Sequence, residues 1–139
     1  MQLEAISDNA KEILDVMRSL IERGETDHLK ETPSGWQYRG EQFKKAVDAL
    51  RDAIQQELKP QGFNVIGCSA RHFVKGANIL NPLYPQKRIL IIPMNGTSAL
   101  STGGQIPPNT YRCIEGVPTL YGDNIDVVFV GFEVDNITK

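Results

Sequence analysis

The hydrophobic period of this chain changes at Gly62, and that change limits the folds open to it. Before Gly62 apolar residues recur at three- and four-residue steps; after it they alternate or run continuously. Ile13, Leu14, Met17, Leu20 and Ile21 share one helical face. Ser7 is placed to cap that run, Asp8 lies at the positive end of its dipole, and Gly24 can close it. Phe43, Ala46, Val47, Leu50, Ala53, Ile54 and Leu58 make a second stripe from Glu41 to Leu58, ended by Pro60 and Gly62. Residues 24–40 between them read as a polar connection with turn chemistry at Pro33-Ser34-Gly35.

Beyond Gly62 the segments FNVIGC (63–68), ILIIP (89–93), TYRCIEGV (110–117) and DVVFVGFEV (126–134) read as strands. ILIIP is continuously apolar, as a strand covered on both faces would be. In the last strand Val128, Val130, Phe132 and Val134 fall on one face. Residues 71–79 can hold a short helix, and Asn81-Pro82 and Tyr84-Pro85 force extended chain. Two helices followed by strands is an α+β order. The expectation is a single domain over residues 1–139, with a helical part at 7–58, a sheet part at 62–135 and a long loop at 94–110. Two N-terminal amphipathic helices would pack on a mainly antiparallel sheet of about four strands.

The charge is unevenly spread. No acidic residue stands between Glu57 and Glu115, whereas Lys59, Arg71, Lys75, Lys87, Arg88 and Arg112 lie there. The rest of the chain holds nine basic against seventeen acidic residues, a balance of −8 hidden inside a net −2. A basic middle beside acidic ends suits either an anion, such as a phosphate-bearing ligand or nucleic acid, or contact between subunits. A plainer account is that buried strand and neutral loop leave acids few positions. Six basic residues over this length are thin for nucleic acid.

Motifs of enzymatic chemistry are missing. The uncharged loop MNGTSALSTGGQIPPNT (94–110) has neither the GxxxxGK[ST] nor the GxGxxG arrangement. His28 and His72 are isolated, with no metal-ligand spacing around them; His72, near Arg71 and Lys75, is a candidate phosphate contact, or else a surface or satisfied core residue. Ser69, Ser98 and Ser101 lack a nucleophile elbow. Asp123, Asp126 and Glu133 flank the last strand without the lysine a nuclease site needs, and read as a polar turn and an edge-strand charge. Trp36 and Tyr38 can stack on a base or pack over the helices. Cys68 and Cys113 read as buried reduced thiols. No apolar run approaches the roughly 20 residues of a membrane span, and no secretory signal opens the chain, so the expected location is cytoplasmic.

The short strand FNVIGC, the proline-marked crossing ILNPLYP, the strand KRILIIP, the uncharged loop and the closing strands together resemble the small neck and tail-completion proteins of tailed bacteriophages, over about residues 41–134. The resemblance implies a compact subunit that assembles into rings and grips neighbours with loops, in a virion. The functional expectation is therefore a non-enzymatic assembly subunit without metal or cofactor, forming a homo-oligomer or docking to a protein partner. In it Arg71, His72, Lys75, Lys87, Arg88 and Arg112 supply subunit or anion contacts. Thr97, Ser98, Leu100, Gly103, Gly104 and Ile106 form a contact arm ordered on docking. The alternative is a nucleotide- or nucleic-acid-binding protein that uses the same basic segment.

Overall fold

The computed structural model describes residues 6–80, 88–101, 104–114 and 117–134. Both helices form where their stripes predict. Helix α1 spans Asp8–Glu22, and the Ser7 hydroxyl accepts the Ala10 N–H at 3.2 Å. Helix α2 spans Glu41–Leu58 and runs into a 3-10 turn, Lys59–Gln61, closed by left-handed Gly62. Between the helices lies a hairpin, strands β1 (Asp27–Thr32) and β2 (Gly35–Arg39), where the sequence suggests a polar connection.

Eight further strands follow: β3 (Phe63–Phe73), β4 (Ala77–Ile79), β5 (Arg88–Asn95), β6 (Ser98–Leu100), β7 (Gly104–Ile106), β8 (Arg112–Ile114), β9 (Thr119–Tyr121) and β10 (Ile125–Val134). They make a six-stranded sheet, β1-β2-β3-β10-β5-β8, and a four-stranded sheet, β4-β9-β6-β7. Every described pairing is antiparallel. The protein is thus mostly β with two helices, not an α+β chain with one sheet of about four strands. The expected helix within 71–79 is replaced by the end of β3 and by β4. The proline-marked crossing 81–87 lies outside the described residues.

Three layers result: helices, large sheet, small sheet. Strand β10 is central, and alternate side chains serve two cores. Val128, Val130 and Phe132 pack with Leu14, Met17, Phe43, Leu50 and Ile54 of the helices. Ile125 and Val127 pack with Leu100, Ile106 and Leu120 of the small sheet. Strand β5 divides in the same way, Leu90 and Ile92 toward the helices and Ile91 toward the small sheet. The middles of both strands, residues 89–94 and 127–130, are apolar because each face is covered by another layer.

Candidate functional site

Of the expected contact residues, the fold brings few together. Arg71 lies on β3 beside Phe73, its guanidinium carbon 6.0 Å from that ring. Arg88 opens β5, 5.8 Å from the Phe63 ring. Arg71 is opposite Val127 of β10 and Arg88 opposite Phe132, five residues apart, or about 17 Å along the strand. Val127 faces the small sheet and Phe132 the helices, so the two arginines also stand on opposite faces. Arg112, on β8, donates to the Gly104 carbonyl at 3.4 Å. Lys75 is exposed in the β3–β4 turn, and Lys87 lies outside the described residues.

The uncharged loop is largely folded onto its own chain. Strands β6 and β7 form a hairpin within it; Ser98, Leu100 and Ile106 are buried, while Thr97 and Gly104 are exposed. Gly103 lies outside the described residues. The turn that follows is tied down from several sides. Asn109 N–H donates to the Pro93 carbonyl at 3.3 Å, and the Arg18 guanidinium holds both the Met94 carbonyl, at 2.9 Å, and the Asn109 side chain. The Tyr111 hydroxyl donates to Glu57 at 2.9 Å. An arm that is free until docked is therefore corrected to a hairpin whose inner residues fill a core.

A polar cluster that the sequence does not announce forms at one end of the large sheet. Trp36, His72, Asp126 and Asn95 occupy one cross-strand row on β2, β3, β10 and β5. Asp126 is buried and accepts three hydrogen bonds: from the Tyr38 hydroxyl at 2.6 Å, from His72 Nδ1 at 2.9 Å and from Asn95 Nδ2 at 3.0 Å. The Trp36 indole is sandwiched between His28, at 4.3 Å, and His72, at 4.4 Å, with near-parallel rings. Both indole faces are taken, so Trp36 offers none to a base. Burial, and then the bond to Asp126, pushes the Tyr38 hydroxyl pKa well up, so it remains a donor. Asp126 is thus a buried acceptor on a central strand, not an edge-strand charge.

A histidine oriented by a buried carboxylate can serve as a general base. Here His72 is packed against Trp36, and its hydrogen bond is to Asp126. Among the described residues no group of three or more potential metal ligands converges. The row binds β2, β3, β10 and β5 together, and its geometry is that of a clasp.

Cys68, Val130, Leu90 and Cys113 form another row across β3, β10, β5 and β8. The thiols are three strand spacings apart, about 14 Å, too far to form a disulfide with each other. Burial pushes the Cys68 thiol up to about 12, which keeps it protonated and unreactive.

The outer face of the small sheet departs from an ordinary surface in both charge and polarity. Ala77 and Ile79 of β4, Thr119 and Tyr121 of β9, Ala99 of β6 and Gln105 of β7 point away from the buried partners Leu100, Ile106 and Leu120. None of the four strands carries a charged residue. Ile79 is 73 % exposed and Tyr121 47 %. Val117, just before β9, is 58 % exposed. Sequence reading misses this face because three-residue strands show no period; the readable trace is only that ANI and TLY put Ile79 and Tyr121 out of step with Asn78 and Leu120.

No family model matches the chain, and no characterised protein matches it by sequence. Among solved structures, a crystal structure of a Pseudomonas putida prolyl-4-hydroxylase matches over 93% of this chain and 87% of that chain, at 14% identity and a TM-score of 0.42. A likeness at that level supports neither a shared fold nor a shared activity. No helix among the described residues is long and apolar enough to cross a membrane.

Proposed function

We propose that the protein is a non-enzymatic subunit that assembles with copies of itself through the outer face of its small sheet. The observation that carries this reading is the exposure of Ile79 and Tyr121 on a face without charge. Contiguous exposed apolar surface marks interaction sites, and an uncharged face meets its own copy without electrostatic mismatch, as a two-fold interface requires. The β6–β7 hairpin takes the role expected of the contact arm in altered form, bringing Ala99 and Gln105 to the face. The phosphate-binding alternative needs a convergent basic site, and Arg71, Arg88 and Arg112 lie on different parts of the fold.

Light scattering on the eluting protein tests this. Wild type is expected to run as an oligomer at micromolar concentration, and its mass should hold as salt rises, because apolar contact is not screened. Ile79→Glu with Tyr121→Glu should weaken association about a hundred-fold or more, since each side chain stands to bury about 1.5–3 kcal/mol of apolar surface. A monomeric wild type, or a variant of unchanged mass, would overturn the reading.

A further inference from the structure

We propose that the gap between β2, β3 and α2 is a docking cleft for an extended, acidic peptide segment, which joins the large sheet as an added strand beside β3. The reason lies in how the two edges of β3 are covered. Strand β10 pairs with β3 from Phe73 to Phe63, broken only by a bulge at Ile66. On the other edge β2 pairs only with Phe73, His72 and Arg71. At the far end the side chain of Gln55, from α2, stands in for a strand: its Oε1 accepts the Val65 N–H at 2.7 Å and its Nε2 donates to the Phe63 carbonyl at 3.2 Å.

Between these two covers, residues 66–70 of β3 have no neighbouring strand on that edge among the described residues. There β2 swings away through Tyr38 and Arg39 toward the start of α2. It leaves a cleft of about 180 Å³ lined by Tyr38, Arg39, Lys44, Val47, Cys68 and Ala70. An unpaired strand edge is a template for another strand, and strand addition is an established mode of peptide recognition. The lining residues come from the hairpin, from α2 and from β3, so the cleft runs beside the strand edge.

Charge selects the occupant. Arg39 and Lys44 are exposed at the rim, and neither makes an ion pair among the described residues. Asp48 is the one acid among the lining residues. The floor is neutral, since the Cys68 thiol is protonated. A carboxylate two residues along an added strand would meet the basic rim, whereas a lysine there would be repelled.

The test uses fluorescence anisotropy with three labelled hexapeptides: one alternating valine with glutamate, a lysine-for-glutamate counterpart, and the glutamate peptide with N-methylated valines. The glutamate peptide should bind saturably, and each of the other two at least about ten-fold more weakly. Arg39→Glu with Lys44→Glu should reverse the charge preference without changing the melting curve, since both side chains are exposed. Amide resonances of Ser69 and Ala70 should shift on binding. Absence of saturable binding, indifference to N-methylation, or an unchanged preference in the variant would overturn the proposal. Ile79→Glu lies on another surface and should leave peptide binding intact, so failure here and failure of the assembly reading are separable.

Discussion

At Gly35 the absence of one methyl group decides whether the β1–β2 hairpin can lie against β3. Its φ is +149°, and a Cβ there would sit 1.9 Å from the His72 carbonyl oxygen. Backbone cannot yield as a flexible side chain can, so Gly35→Ala must push the hairpin off β3 and open the stack of His28, Trp36 and His72. The expected cost is about 3 kcal/mol or more, from strained backbone together with overpacking. Gly67→Ala is the control: a Cβ there meets nothing within 4 Å, and the change should stay within about 0.5 kcal/mol. Urea unfolding followed by the fluorescence of Trp36, the chain's single tryptophan, reads both. Equal stability of the two variants would show that β3 does not approach the hairpin this closely. The same stretch marks the limit of sequence reading at the residue scale. Asp126 looks like a charge beside an edge strand, because a single strand does not reveal its neighbours. It becomes a buried acceptor only once β3 and β5 pair on either side of β10.

Among elements, legibility followed length. Helix α2 lies at Glu41–Leu58 as its stripe and terminators predict, and α1 starts at the Ser7 cap. Strands β5 and β10 are long enough to show their character. The five strands of three residues, β4 and β6 to β9, are too short to carry a period. The hairpin strands β1 (DHLKET) and β2 (GWQYR) are too polar to announce themselves. That is why a two-sheet protein reads as one with a single small sheet. A different signal, equally invisible in sequence, is α2 completing the edge of β3 through Gln55. Gln55→Ala removes both of its hydrogen bonds and should lower stability by about 1–2 kcal/mol, with faster aggregation as more of the edge opens. Gln55→Glu keeps the acceptor for the Val65 N–H but loses the donor to Phe63, and should fall between the two. Thermal melts and turbidity measure this. If Gln55→Ala is neutral on both counts, the side chain is not standing in for a strand.

At the scale of the molecule, a block of like charge along the chain is not a patch on its surface. The basic middle of the sequence is divided between opposite faces and ends of the large sheet, because alternate strand residues point to opposite sides. What does tie separate elements together is a set of protonated groups held largely away from water. Tyr38 holds the hairpin to Asp126, Tyr111 holds the turn before β8 to Glu57 of α2, and Cys68 of β3 faces α2. Burial raises all three pKa values, with Asp126 and Glu57 adding to it for the two tyrosines; Cys68 rises from 9.0 to about 12, and the tyrosines rise from 10.0. In each case the unfolded chain loses its proton before the folded one, so the unfolded state binds fewer protons and stability falls as pH rises. The contribution is fully present below pH 9, begins to fade there as the unfolded thiol ionises, and fades faster above 10 as the unfolded tyrosines join. Unfolding free energies from urea titrations should therefore drop from pH 9 to 11. Tyr38→Phe with Tyr111→Phe, less stable near neutrality for want of two hydrogen bonds, should show a shallower alkaline decline than wild type. Lysines titrate in the same range and are common to both proteins, so the difference in slope belongs to the tyrosines. Parallel curves would mean that the two hydroxyls are not held protonated in the folded protein, and that these links between elements are not made.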